Sequence, residues 1–161
     1  MAQPTFTIDR DKREMVMTRV FDAPRELVFK TYIDPKLLPQ WWGMGGTTTV
    51  DKMDVRPGGQ WRYVQHDESG NQFAFSGVYQ EVVPPERLTY TFEFEAMPGH
   101  VMVETILFEE QDGKTNLTSI AVFETLADLE GMLQSGAEHG ATITWNRLAE
   151  LVGSLQSQQR H

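Results

Sequence analysis

A chain of 161 residues has room for one hydrophobic core and needs neither metal nor disulfide to hold it together. It contains no cysteine, which excludes disulfides, zinc-thiolate centres and cysteine nucleophiles and fits a reducing compartment. The net charge is −9 and the one basic cluster, Arg10, Lys12 and Arg13, is interrupted by Asp11, so nucleic acid is not expected as a partner.

The opening residues hold no apolar stretch of the secretory kind, and no apolar run approaches the ~20 residues of a membrane span. The expected location is therefore the cytoplasm, without membrane insertion. Residues 14–21 alternate Met15, Met17 and Arg19 with Val16, Thr18 and Val20, which predicts a strand. Pro24 behind Asp22-Ala23 marks a helix start, and Leu27, Val28 and Phe29 supply its apolar side. Asp34-Pro35 opens a second short helix in the same way, running through Leu37 and Leu38 to Trp41-Trp42 and closed by Gly43, Gly45 and Gly46.

Residues 47–123 read as a meander of strands. The turns fall at Arg56-Pro57-Gly58-Gly59, at 67–71, at Pro84-Pro85, at Met97-Pro98-Gly99 and at Asp112-Gly113, the last a strong hairpin signal. Leu88, Tyr90, Phe92 and Phe94 alternate with Thr89, Thr91, Glu93 and Glu95, giving one buried and one wet face. Gly77 marks a place where a bulge would reverse the parity of 73–83. Leu133, Ala137, Gly140, Ala141, Thr144, Leu148 and Leu151 then fall on one face of a long helix, opposite Gln134, Glu138, Asn146 and Glu150. The polar residues 154–161 are expected to be a disordered tail, leaving 1–153 as a single domain. Strand, two short helices, about six strands and a long helix make an α+β protein, with an antiparallel sheet of six to seven strands covered by the C-terminal helix.

Several stretches resemble one family. They are residues 19–29, Trp41-Trp42-Gly43, Arg56-Pro57-Gly58-Gly59 with Trp61-Arg62, 77–82 with 84–88, and the helix stretch from Gly136-Ala137 through 147–151. Together they are similar to bacterial proteins related to the C-terminal domain of the activator of the ninety-kilodalton heat-shock protein's ATPase, and the likeness spans 14–152. That family lies in the SRPBCC group, with START lipid-transfer domains, birch-pollen-allergen-like proteins and polyketide cyclases. The resemblance implies a helix-grip fold with a cavity between the sheet and the long helix.

Trp41 and Trp42 cannot both face one core direction, so one is expected in the core and the other at the cavity mouth. Trp61, Tyr63, Phe75, Tyr79, Tyr90 and Phe92 are candidates for the inner sheet wall. Met132, Leu133, Gly136 and Gly140 are the candidates from the helix, where small residues leave room for a ligand. Glu104 would be a candidate general base if it faced the cavity, but parity places it outward, opposite Val101, Val103 and Leu107. The same parity puts Ile106, Phe108, Ile120 and Val122 on the outer face as an apolar patch, suited to a homodimer. Glu81 is expected to pair with Arg62 or Arg87. His66, His100, His139 and His161 show no metal-ligand spacing, and neither a nucleophile elbow nor a phosphate loop is present, so no metal and no cofactor are expected.

The favoured function is binding of a small apolar or amphipathic ligand in the cavity, without catalysis. The alternatives are a chaperone-linked or stress-related interaction domain and a cyclase- or hydrolase-like enzyme using the same cavity.

Overall fold

The computed structural model describes residues 3–43 and 45–159. Met1, Ala2, Met44, Arg160 and His161, which include the end of the expected tail, lie outside the described residues.

The chain begins with a hairpin, β1 (Thr5–Asp9) and β2 (Glu14–Phe21), followed by helix α1 (Arg25–Ile33) and a single 3-10 turn at Leu38–Gln40. Six strands follow: β3 (Thr47–Met53), β4 (Gln60–His66), β5 (Gln72–Val83), β6 (Arg87–Phe94), β7 (Val101–Gln111) and β8 (Lys114–Phe123). Helices α2 (Leu126–Gln134) and α3 (Ala137–Gln159) complete the order. All eight strands form one antiparallel sheet in the order β1-β2-β8-β7-β6-β5-β4-β3. Strand β1 exceeds the six to seven expected. Its five residues, with Phe6 and Ile8 half-buried, pair with β2 at the sheet edge.

Two expectations for the helices change. The second short helix shrinks to the 3-10 turn, because Pro39 limits it and the Asp34 carboxylate holds a local turn by accepting from the Lys36 amide at 2.8 Å. The long helix is broken in two: Gly136 sits at φ +88, a left-handed conformation that glycine adopts without strain. Gly136 is thus the hinge between α2 and α3 and lies outside both helices. The helix then runs on through 154–159, where a disordered tail was expected.

The core lies between the inner sheet face and α1 with α3. Leu88, Ile106, Phe108 and Leu117 from the sheet meet Val28 and Phe29 of α1 and Trp145, Leu148 and Val152 of α3, all buried. Aromatic edges hold the layers: Phe29 and Tyr32 lie 5.0 and 5.4 Å from Phe108, and Phe21 lies 5.7 Å from Trp145. The buried stripe of α3 is therefore centred on 145, 148 and 152. Asn146, expected on the wet side, instead accepts from the buried Arg19 guanidinium at 2.8 Å and ties α3 to β2.

Ile106 and Phe108 are each 1% exposed, so they belong to the core and not to an outer patch. The parity of β7 could not be read from its own residues, because both of its faces are apolar. The hairpin decides it. Asp112 (φ 56) and Gly113 (φ 77) make a two-residue turn that pairs Gln111 with Lys114, and the ladder then sets Phe108 opposite Leu117 and Ile106 opposite Ser119. Ile120 and Val122 alternate with the buried Leu117, Ser119, Ala121 and Phe123, which leaves those two half-buried on the other face. Of the two partners foreseen for Glu81, Arg87 is the one observed, at 3.1 Å. Arg62 pairs with Glu95 and Asp51.

Candidate functional site

Between the sheet and the two C-terminal helices lies a cavity of about 770 Å³. That is within the range of about 300–1,000 Å³ usual for small-molecule sites. Its floor is the inner sheet face, with Met15 and Met17 of β2, Phe75, Phe92 and Met102 of the central strands, and Ala121 and Phe123 of β8. Met132 of α2 and Ala137, Ala141, Thr144 and Trp145 of α3 close it from above. The mouth is formed by Gly43, Gly45 and Gly46, by the 67–69 turn and by Phe73. A second void of about 40 Å³ continues inward between Trp61, Tyr63, Tyr79 and Leu88. Tyr32, Trp42, Tyr90, Phe92 and Glu104 line both spaces and so stand at their junction.

The tryptophan pair divides. Trp41 is 2% exposed; it packs on Tyr32 and donates its indole N–H to the Thr31 carbonyl at 2.9 Å. It touches the cavity only from within the core. Trp42 turns the other way and sets its ring edge-on to Tyr63 and Phe75, at 5.1 and 5.2 Å. The segment carrying both is tacked to α3 by Arg147, which donates to the carbonyls of Gly43 at 2.9 Å and Gln40 at 3.3 Å, and by Thr144, which donates to Gly43 at 3.2 Å.

Of the other sequence candidates, Phe75, Tyr90, Phe92 and Met132 line the large cavity, and Trp61, Tyr63 and Tyr79 line the inner void. Leu133, Gly136 and Gly140 line neither: Leu133 packs beside Leu129, and Gly136 is the exposed hinge. Gly77 sits in β5 without reversing its parity; the irregular pairing falls between Tyr79 and Glu81. A Cβ at Gly77 would stand 1.9 Å from the Thr91 carbonyl oxygen. The missing side chain lets the Trp61 indole reach that carbonyl at 3.2 Å.

Glu104, which parity places outward, points inward. Its cross-strand neighbours are Tyr90 and Ala121, both on the cavity face. The Tyr90 hydroxyl donates to one carboxylate oxygen at 2.8 Å and the Ser119 hydroxyl donates to the other at 2.5 Å. Glu104 lies deep in the protein, and it lines both spaces. Burial pushes its carboxyl pKa up, and the two hydroxyl donors oppose that rise. Burial also raises the phenols of Tyr32, Tyr63, Tyr79 and Tyr90, so all four stay protonated at neutral pH. At the junction a carboxyl group therefore faces a wall of rings and neutral hydroxyls. Besides Glu104, the sequence reading missed Met15, Met17, Tyr32, Ser119 and Trp145. The signal that finds Ser119 is the hairpin ladder counted from Asp112-Gly113.

An antiparallel sheet wrapped on a long C-terminal helix, with an apolar cavity between them, defines the helix-grip class of α+β protein. Within that class, the chain belongs to the family described as Activator of Hsp90 ATPase homolog 1-like protein, whose model matches residues 22–153. The crystal structure of protein Ms6760 from Mycobacterium smegmatis is similar, with 26% identity and a TM-score of 0.85 over 94% of this chain and 99% of that one. A protein from Staphylococcus epidermidis, solved by NMR, is 29% identical with a TM-score of 0.78, covering 92% of this chain and 94% of that one. A protein from Arthrobacter aurescens shares the fold at 20% identity, with a TM-score of 0.87 over 93% and 91%. No curated protein matches the sequence. Among the described residues, no helix is long and apolar enough to cross a membrane.

Proposed function

We propose that this protein binds a small molecule with a largely apolar body in the cavity between the sheet and helices α2 and α3. The observation that carries this reading is the cavity itself: about 770 Å³, walled by aromatic rings and methionines, with one carboxylate held at its inner end. Core packing normally leaves few voids larger than a water molecule. A space of this size, kept open beside Ala121, Ala137 and Ala141, therefore favours an occupant. The lack of cysteine supports work in a reducing cytoplasm.

Native mass spectrometry of the protein purified from its own cells tests this. A reproducible extra small-molecule mass that vanishes on denaturing extraction is expected. A clean apo mass, together with no binding of any apolar probe by calorimetry, would overturn the reading.

A second reading is favoured by one observation. Glu104 faces the cavity with its carboxyl pKa raised by burial, which is what a general base requires. An enzyme of this kind would consume the captured molecule. Incubating the identified ligand with the protein and with Glu104→Gln separates carriage from turnover.

A further inference from the structure

The polar groups of the cavity wall are unequal in kind. Among the described residues, no lysine, arginine or histidine lines it, while three carboxylates do: Glu104 inside, and Asp67 and Glu68 at the mouth. The wall's own protons are largely committed. Ser119 and Tyr90 give theirs to Glu104. Thr144 gives its proton to the Gly140 and Gly43 carbonyls, and the Gln65 amide donates to the Gly45 carbonyl. Glu104 accepts two hydrogen bonds, and an ionised carboxylate has about four acceptor positions. The inner end of the cavity thus keeps unused acceptor capacity on Glu104, and its remaining donors, the Tyr32 hydroxyl and the Trp42 indole, are neutral. An anionic ligand would meet two like charges at the mouth and a third at the inner end, with no counter-charge among the described lining residues.

Among the described residues, Glu104 has no cationic partner. The groups facing it are the Tyr32 phenol from α1, the Tyr90 phenol from β6 and the Ser119 hydroxyl from β8. Arg147, near the mouth, spends its guanidinium on the carbonyls of Gln40 and Gly43 behind the loop. A buried carboxylate without a counter-ion is costly, and a ligand that brings the missing charge removes the cost. The rings around it suit a cation as well, since Trp42, Tyr90, Phe92 and Tyr32 stand at the same junction and aromatic faces attract ammonium groups. The net charge of −9, with Asp67 and Glu68 at the entrance, draws cations toward the mouth.

Resting on the ligand-binding reading above, we propose that the ligand is an amphipathic amine. Its protonated nitrogen meets Glu104 at the junction of the two spaces, and its apolar body lies along Phe75, Phe92, Met102 and Trp145. The structure selects for charge at one end and against anionic groups throughout.

The test uses three probes that share one body: naphthylmethylamine, naphthylmethanol and naphthoate. Each is titrated into the full chain by calorimetry at neutral pH, and into Glu104→Gln. The amine should bind the wild type at least tenfold tighter than the alcohol, with naphthoate weakest. Glu104→Gln should bring amine and alcohol within about threefold of each other. If the alcohol or naphthoate binds as tightly as the amine, the cation proposal falls and the cavity reading stands. If the amine preference survives Glu104→Gln, the assignment to Glu104 is wrong. If none of the three binds, the cavity reading falls and takes this proposal with it. Should Glu104→Gln not fold by circular dichroism, the rank order of the three probes on the wild type decides alone.

Discussion

Glu104 couples the site to stability through its proton. Its folded pKa is raised above the ordinary 4.5, so the folded chain holds a proton that the unfolded chain releases. The stabilisation from the protonated form is complete below that ordinary value. It is lost as pH rises through the raised folded value. The titratable groups facing Glu104, Tyr32 and Tyr90, stay protonated over this window. Glu104→Gln cannot ionise and should escape the loss. Thermal melts of both proteins from pH 4 to pH 8 should show the variant gaining on the wild type as pH increases; a constant difference across the range would mean that the carboxyl titrates normally. The two tryptophans make a second contrast at this scale. Trp41→Phe removes a buried hydrogen bond to the Thr31 carbonyl and part of a packed ring, and should cost about 2 kcal/mol in urea unfolding. Trp42→Phe removes no side-chain hydrogen bond among the described residues and should cost less than half as much. Equal losses would contradict the division between core and cavity wall. That the adjacent pair must diverge was legible in the sequence. Which ring went where was not, because it depends on the carbonyl of Thr31 on α1, ten residues away.

Among the elements, β7 shows where local pattern stops being informative. Met102, Ile106 and Phe108 lie on one face and Val101, Val103 and Leu107 on the other, so its own residues do not say which face is inward. The β6 strand, with four aromatic or leucine positions on one side and threonine or glutamate on the other, was readable by itself. Strand β7 takes its direction from β8 through the Asp112-Gly113 turn, and a slip of one residue would expel Glu104 and Ile106 together. Helix α3 was legible as a helix, but its buried stripe lies about one residue from the expected one, because the large ring of Trp145, and not Thr144, packs into the core. Glycine is position-specific here too. Gly77→Ala would drive a Cβ to 1.9 Å from the Thr91 carbonyl oxygen, a backbone atom that cannot move without shifting β6. It should cost about 3 kcal/mol. Gly136→Ala meets open space and pays only for its positive φ, about 1 kcal/mol. Urea unfolding of the two variants should keep that order; the reverse order would mean that the α2–α3 hinge, and not the β5–β6 approach, is the more constrained place.

For the whole molecule, the two halves of the interior do different work. Toward the C-terminal end of α3, Leu148 and Val152 are buried in one cluster with Phe21 and Leu117. Toward its N-terminal end, Ala137, Ala141 and Thr144 stand back from the sheet and the cavity opens. The stability of the fold should therefore rest on the first half and binding on the second. Ala141→Phe separates them. A phenyl ring at that position projects into the cavity, against Trp42 or Phe75, without displacing the packed half. Filling a void with apolar atoms removes a source of lost dispersion contacts, and the helix cost of phenylalanine against alanine is only about 0.5 kcal/mol. The melting temperature should stay within about two degrees of the wild type, or rise, while the affinity for naphthylmethylamine falls at least tenfold. A variant that melts far lower would show that the space is already occupied by close packing. One that keeps full affinity would show that the ligand sits elsewhere, deeper among Trp61, Tyr63 and Tyr79.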